Sequence, residues 1–132
     1  MFLRHNLPGI FWYFLIVTLS LIPGSSYPKL TLQVFGFIPI DKFIHIVFYT
    51  ILFVLLIVGF KKQYQIKRLR LQSFQFAFFI CFFTGLGIEI IQAAFIPLRS
   101  FEWLDISSNL FGTFIGILTF IIIYGYKALN YN

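Results

Sequence analysis

Asp41, Lys42, His45, Glu89, Gln92, Arg99, Asp105 and Asn109 are the residues of this chain whose types and spacing could do chemistry. In Asp41-Lys42-Phe43-Ile44-His45, a helix of about 3.6 residues per turn puts Asp41, His45 and Tyr49 in one row with Lys42 beside them. That face offers an acid, an imidazole and a phenol. In Gly85-Leu86-Gly87-Ile88-Glu89-Ile90-Ile91-Gln92, the same turn places Gly85, Glu89 and Gln92 together, with small residues that admit a neighbouring helix. Asp105, Ser108, Asn109, Gly112 and Gly116 trace a polar and small stripe, expected to face other helices. His45 and Glu89 stand in apolar sequence, where a charged side chain costs about 2.5–3.5 kcal/mol near the membrane centre and needs a partner or a task.

Plainer roles are open to each of these residues. Asp41 can cap a helix, Lys42 can snorkel to head groups, and Asp105 or Ser108 can cap a later helix. Glu89 can pair with Arg99 or Lys42 as a structural ion pair. Glu102 and Trp103 read as interface residues, Trp103 in an aromatic belt.

The elements that must position them are membrane helices. Of 132 residues, 60% are hydrophobic, 22% aromatic and only 11% charged, far from a soluble average. Four apolar stretches stand out, Pro8 to Pro23, Asp41 to Phe60, Phe74 to Phe95 and Leu104 to Tyr126, each near the ~20 residues that cross a bilayer. Backbone at that depth must satisfy its own hydrogen bonds, which excludes anything but helices for segments this long. The expected fold is all-α, a single-domain integral membrane four-helix bundle. A cleaved signal peptide is the other reading of the first stretch; bulky Phe11, Trp12, Tyr13 and Phe14 and the lack of a small-residue cleavage site favour a retained helix. Ser25, Ser26, Pro28 and Gly36 mark turns in the long connection that follows.

Arg4, Lys61, Lys62, Lys67, Arg68, Arg70 and Lys127 gather on one side of these stretches, against Lys29, Lys42 and Arg99 on the other. The positive-inside rule then puts both termini and the 61–73 loop in the cytoplasm and the polar residues in the outer leaflet. The net charge of +6 does not point to nucleic acid, because the basic residues flank apolar spans rather than line a soluble face. They suit anionic lipid. Cys81 is the one cysteine, so neither a disulfide nor a cysteine metal site is available.

In this order and on these spans, several motifs resemble the VanZ-like family of small bacterial membrane proteins. They are Leu19-Ser20-Leu21-Ile22-Pro23, Asp41-Lys42-x-x-His45, Gly85-x-x-x-Glu89-x-x-Gln92, Arg99-Ser100-Phe101 and Asp105-x-x-x-Asn109-x-x-Gly112, over about residues 10 to 120. The resemblance implies a four-helix, multi-pass protein of the bacterial cytoplasmic membrane and cell envelope, whose namesake is associated with teicoplanin resistance. It leaves the activity, and any cofactor, unassigned.

Three chemistries suit the residues. The first is an enzyme-like site on a lipid-linked or phosphorylated head group: Arg99 and Lys42 hold the anion, His45 acts as general acid or base with Glu89 or Asp105, and Asp41, Gln92 and Asn109 complete the binding surface. No Ser or Cys nucleophile motif and no phosphate-cradling glycine loop is present, so water or a substrate group would attack. The second is a pocket that binds a membrane lipid or cell-wall precursor without chemistry. The third, less favoured, sets Asp41, His45, Glu89 and Asp105 around Mg²⁺, Mn²⁺ or Zn²⁺. A transporter fits least, because four helices make a narrow bundle with no repeat or broken-helix pair, unless the chain forms a homo-oligomer.

Overall fold

The computed structural model describes residues 2–23, 32–97 and 99–126. The turn signals at Ser25, Ser26 and Pro28, and the charges of Lys29 and Lys127, lie outside the described residues. The chain is mostly helical: α1 (Phe2–Ser20), α2 (Ile40–Lys62), α3 (Lys67–Leu71), α4 (Ser73–Phe95) and α5 (Trp103–Tyr124). A two-strand ribbon, β1 (Gln33–Val34) paired antiparallel with β2 (Ile38–Pro39), departs from the all-α expectation. Phe35 and Gly36 both have positive φ, 54° and 77°, the backbone of a tight hairpin turn whose twist suits paired strands.

α2, α4 and α5 are each long and apolar enough to cross a membrane. At 23 residues, α2 spans roughly 34 Å, a little more than a hydrocarbon core. α1 is not among these three. It starts at Phe2 instead of Pro8, ends at Ser20, and carries Arg4, His5, Asn6 and Pro8 in its first half, which dilute its apolar length.

The 61–73 connection, expected as a loop, contains α3. Gln63 turns the chain there: its buried side chain donates to the Ile66 carbonyl at 2.8 Å and accepts from the Ile66 N–H at 2.8 Å. These bonds satisfy backbone groups of Ile66, the residue that precedes α3, and the same amide reaches back to the Phe60 carbonyl of α2 at 3.3 Å.

α2 is the central helix, packed against α5, α1 and α4, while α1 and α4 barely meet. The core draws Ile16 from α1, Leu52, Phe53 and Ile57 from α2, Ala77 and Cys81 from α4 and Phe120 from α5. The α2–α5 seam is closest at Gly112 and Gly116. A Cβ on Gly112 would collide with the Ile46 carbonyl, and one on Gly116 would come within 2.9 Å of the Thr50 carbonyl oxygen. Between apolar helices in lipid, such small residues four apart let backbones touch and supply much of the packing. Thr50 Oγ1 lies 2.8 Å from the Ile46 carbonyl and 2.9 Å from that of Gly112, joining the two helices there. The same close seam sets the distance between the polar residues one and two turns nearer the helix starts.

Candidate functional site

Asp41, Glu102 and Asp105 meet around Lys42 at one end of the bundle, and Glu89 lies against the backbone of Glu102. Asp41 and Lys42 come from the first turn of α2, Asp105 from the first turn of α5, and Glu102 immediately precedes α5. Lys42 Nζ donates to Asp105 Oδ1, sits 2.5 Å from Glu102 Oε2 and 3.1 Å from Asp41 Oδ2. Asp105 is almost wholly buried, its side chain 3% exposed, whereas that of Asp41 is 60% exposed. The ammonium therefore bridges a buried carboxylate to a solvated one. A buried ion pair offsets its desolvation only when its geometry is good and its remaining atoms are bonded, which three carboxylates on one ammonium accomplish.

Glu102 is the main departure from the sequence reading, which placed it at the membrane interface beside Trp103. Its side chain holds Lys42, and its backbone N–H donates to Glu89 Oε1 at 2.5 Å. Glu89, 2% exposed, thus takes a backbone donor, and the structural ion pair with Arg99 or Lys42 that the sequence left open does not form. No local pattern marks Glu102. Its role depends on a residue 60 positions away, and only the docking of α5 on α2 reveals it.

His45, one turn beyond Asp41, is held from α5. Its Nδ1 lies 2.9 Å from Asn109 Oδ1, and its Nε2 lies 3.9 Å from Asp105 Oδ2. With the amide oxygen accepting, Nδ1 carries the proton and Nε2 keeps its lone pair beside the carboxylate. Asn109 is itself set by Gly85 of α4, where a Cβ would come within 2.8 Å of Asn109 Nδ2. The glycine expected to admit a neighbouring helix admits this side chain.

Gln92 and Tyr49 have other surroundings. Gln92 is buried, and its amide donates to the Ser20 carbonyl at 2.6 Å, tying the last turn of α1 to α4. Tyr49, 1% exposed, continues the Asp41–His45 row into the core, and its hydroxyl finds no hydrogen-bond partner among the described residues. Neither Asp41 nor Asp105 caps its helix: α2 is preceded by Pro39 and α5 by Glu102, with no side-chain cap bond at either. Ser108 instead returns its hydroxyl to the Leu104 carbonyl at 2.8 Å. Arg99 is half-buried, and among the described residues its guanidinium enters no ion pair.

Among the described residues, no three His, Cys, Asp or Glu side chains are arranged to hold a metal ion. The Asp41, His45, Glu89 and Asp105 set does not converge on one point. Lys42 Nζ stands where the carboxylates come closest, so an ammonium does the work of a cation there.

The family model VanZ/LLP1 matches residues 5–124, nearly the whole chain. The chain belongs to the VanZ/LLP1 family. Among curated proteins and solved structures nothing matches it. The matched span contains every residue of the Lys42 cluster and the three helices able to cross a membrane.

Proposed function

We propose that this VanZ/LLP1 protein receives the head group of a lipid-linked or phosphorylated envelope precursor in the polar cluster around Lys42 and His45. In this reading α1 is a fourth crossing, both termini are cytoplasmic, and the cluster faces outward from the bacterial cytoplasmic membrane. The distribution of Lys and Arg supports that orientation.

One observation carries the proposal: His45 is aimed. A histidine kept only for packing does not need Asn109 on one nitrogen and Asp105 facing the other. The arrangement suits a general base at Nε2, with the imidazolium stabilised by Asp105 once it takes a proton. Lys42 already answers three carboxylates, so among the described residues of this end Arg99 is the cation available to a phosphate, which its planar fork can bind bidentately. Glu89, through the Glu102 N–H, fixes the short connection that carries Arg99 toward α5. With no activated side-chain nucleophile in the cluster, water or a hydroxyl of the substrate would attack.

The test is turnover of radiolabelled envelope lipids by the purified protein. His45→Gln and Arg99→Ala are expected to lower the rate at least about 100-fold while the protein stays folded. Saturable binding with no product in the wild type would replace the enzyme by a precursor-binding protein. Loss of folded protein in both variants would leave the cluster a structural device. In cells, teicoplanin sensitivity of the same variants gives the corresponding envelope phenotype.

A further inference from the structure

At the opposite end, α1 and α4 stand apart. Gly9 and Gly59 explain why: a Cβ on Gly59 would lie 2.7 Å from Asn6 Oδ1 and one on Gly9 3.4 Å from Leu56 Cδ2, so α1 rests directly on α2. Drawn toward α2, α1 leaves an open cleft of about 660 Å³ against α4, within the ~300–1,000 Å³ of ordinary ligand sites. Its walls are hydrocarbon and aromatic, among them Phe14, Leu56, Phe60, Phe79, Ile80 and Phe83. Phe14, Phe79 and Phe83 are more than half exposed.

The mouth of the cleft has the opposite chemistry. Phe2, at its rim, donates its backbone N–H to Gln65 Oε1 at 3.0 Å, which brings the start of α1 against the basic connection. Arg4, Lys62, Lys67 and Arg68 are exposed around this junction, and Arg70 lies over the Tyr64 ring at 4.6 Å. Among the described residues, all four Asp and Glu side chains are at the far end. An apolar cleft beside exposed basic residues, walled on one side by α4, a helix of membrane-crossing length, matches a molecule with a hydrocarbon tail and an anionic head.

We infer that the α1–α4 cleft is a binding site for one acyl chain of an anionic phospholipid, whose head group rests on the basic residues of the α2–α4 connection. This site is separate from the Lys42 cluster and does not depend on what that cluster binds. The lipid fills the gap that the glycines of the α1–α2 contact create and completes the packing of α1.

Full-length protein, washed free of lipid in detergent, would be reconstituted in vesicles of equal phosphatidylglycerol and phosphatidylcholine, re-extracted, and weighed intact by native mass spectrometry. Retention of phosphatidylglycerol in preference to phosphatidylcholine is expected, falling roughly fivefold for each of Lys62→Gln and Lys67→Gln. Ile80→Trp, which fills the slot, should abolish retention. Equal retention of the two lipids, no retention, or retention indifferent to Ile80→Trp would overturn the assignment. So would efficient disulfide dimerisation of Phe83→Cys in the membrane, because a second copy of the chain would then cover the cleft. Should Ile80→Trp fail to fold, the wild-type preference between the two lipids decides the matter.

Discussion

The α2–α5 seam and the α1–α4 cleft are built from the same kinds of residue and come out opposite. Both depend on glycines in α-helices. On α5, Gly112 and Gly116 face α2 directly beneath the charged cluster, so closeness is used to hold Lys42 on Asp105 and His45 on Asn109. At the other end Gly9 and Gly59 bring α1 to α2, and the closeness of one pair opens a gap beside another. Glycine decides where helices touch; the polar residues nearby decide whether the result is a sealed site or an open one. At one end the charges are mutually paired, and at the other the exposed charges share a sign beside an open apolar cleft.

This contrast can be broken most severely at the seam. Gly112→Val places a branched side chain on the Ile46 carbonyl, and overpacking of this kind costs about 3 kcal/mol or more where backbone must move. Little monodisperse protein is expected, and size-exclusion chromatography in detergent reads it; the equivalent Gly87→Val, where a Cβ meets nothing within 4 Å, should be tolerated. A similar loss follows Lys42→Met, which strands Asp105 buried beside Glu102 at a cost of about 3–5 kcal/mol. The double variant with Asp105→Leu should recover much of the thermal midpoint, and a double variant no better than Lys42→Met alone would show that the pair is not the coupling unit.

Smaller substitutions sharpen the difference between holding the site and shaping it. Gly85→Ala pushes on Asn109 and is expected to cost about 1 kcal/mol while lowering lipid turnover or binding disproportionately, since His45 loses its orienting contact. Parallel thermal and binding measurements separate the two effects. Thr50→Val removes a single interhelical hydroxyl bond, worth about 0.6 kcal/mol between membrane helices, and should shift the melting midpoint only slightly.

The helices were largely legible because hydropathy and length speak for each segment separately. The three membrane-length helices coincide within a residue or two with the apolar stretches at 41–60, 74–95 and 104–126, whereas α1 begins six residues before Pro8 because polar Arg4, His5 and Asn6 are compatible with helix at a membrane edge. Of the stripe Asp105, Ser108, Asn109, Gly112 and Gly116, all but Ser108 are buried, since periodicity reports a shared face; Ser108 lies at its edge and bonds its own helix. Pairings were not. Which cation meets which carboxylate depends on the rotation and depth of two helices together, so Lys42 was visible as a charge but not as the partner of Glu102. Likewise Gln92 advertised a polar site, whereas the carbonyl of Ser20, invisible in any side-chain pattern, is what it bonds.

The span between Lys42 and its partners also has a meaning in time. Chains are made from the N-terminus, and Glu102 and Asp105 follow Lys42 by 60 and 63 residues. A nascent chain that holds α2 and α4 but has not yet released α5 from the ribosome has only Asp41 of the three carboxylates that pair with Lys42. The last helix to arrive brings the countercharges, so the same contact that closes the polar end also marks the moment at which synthesis of the bundle is complete.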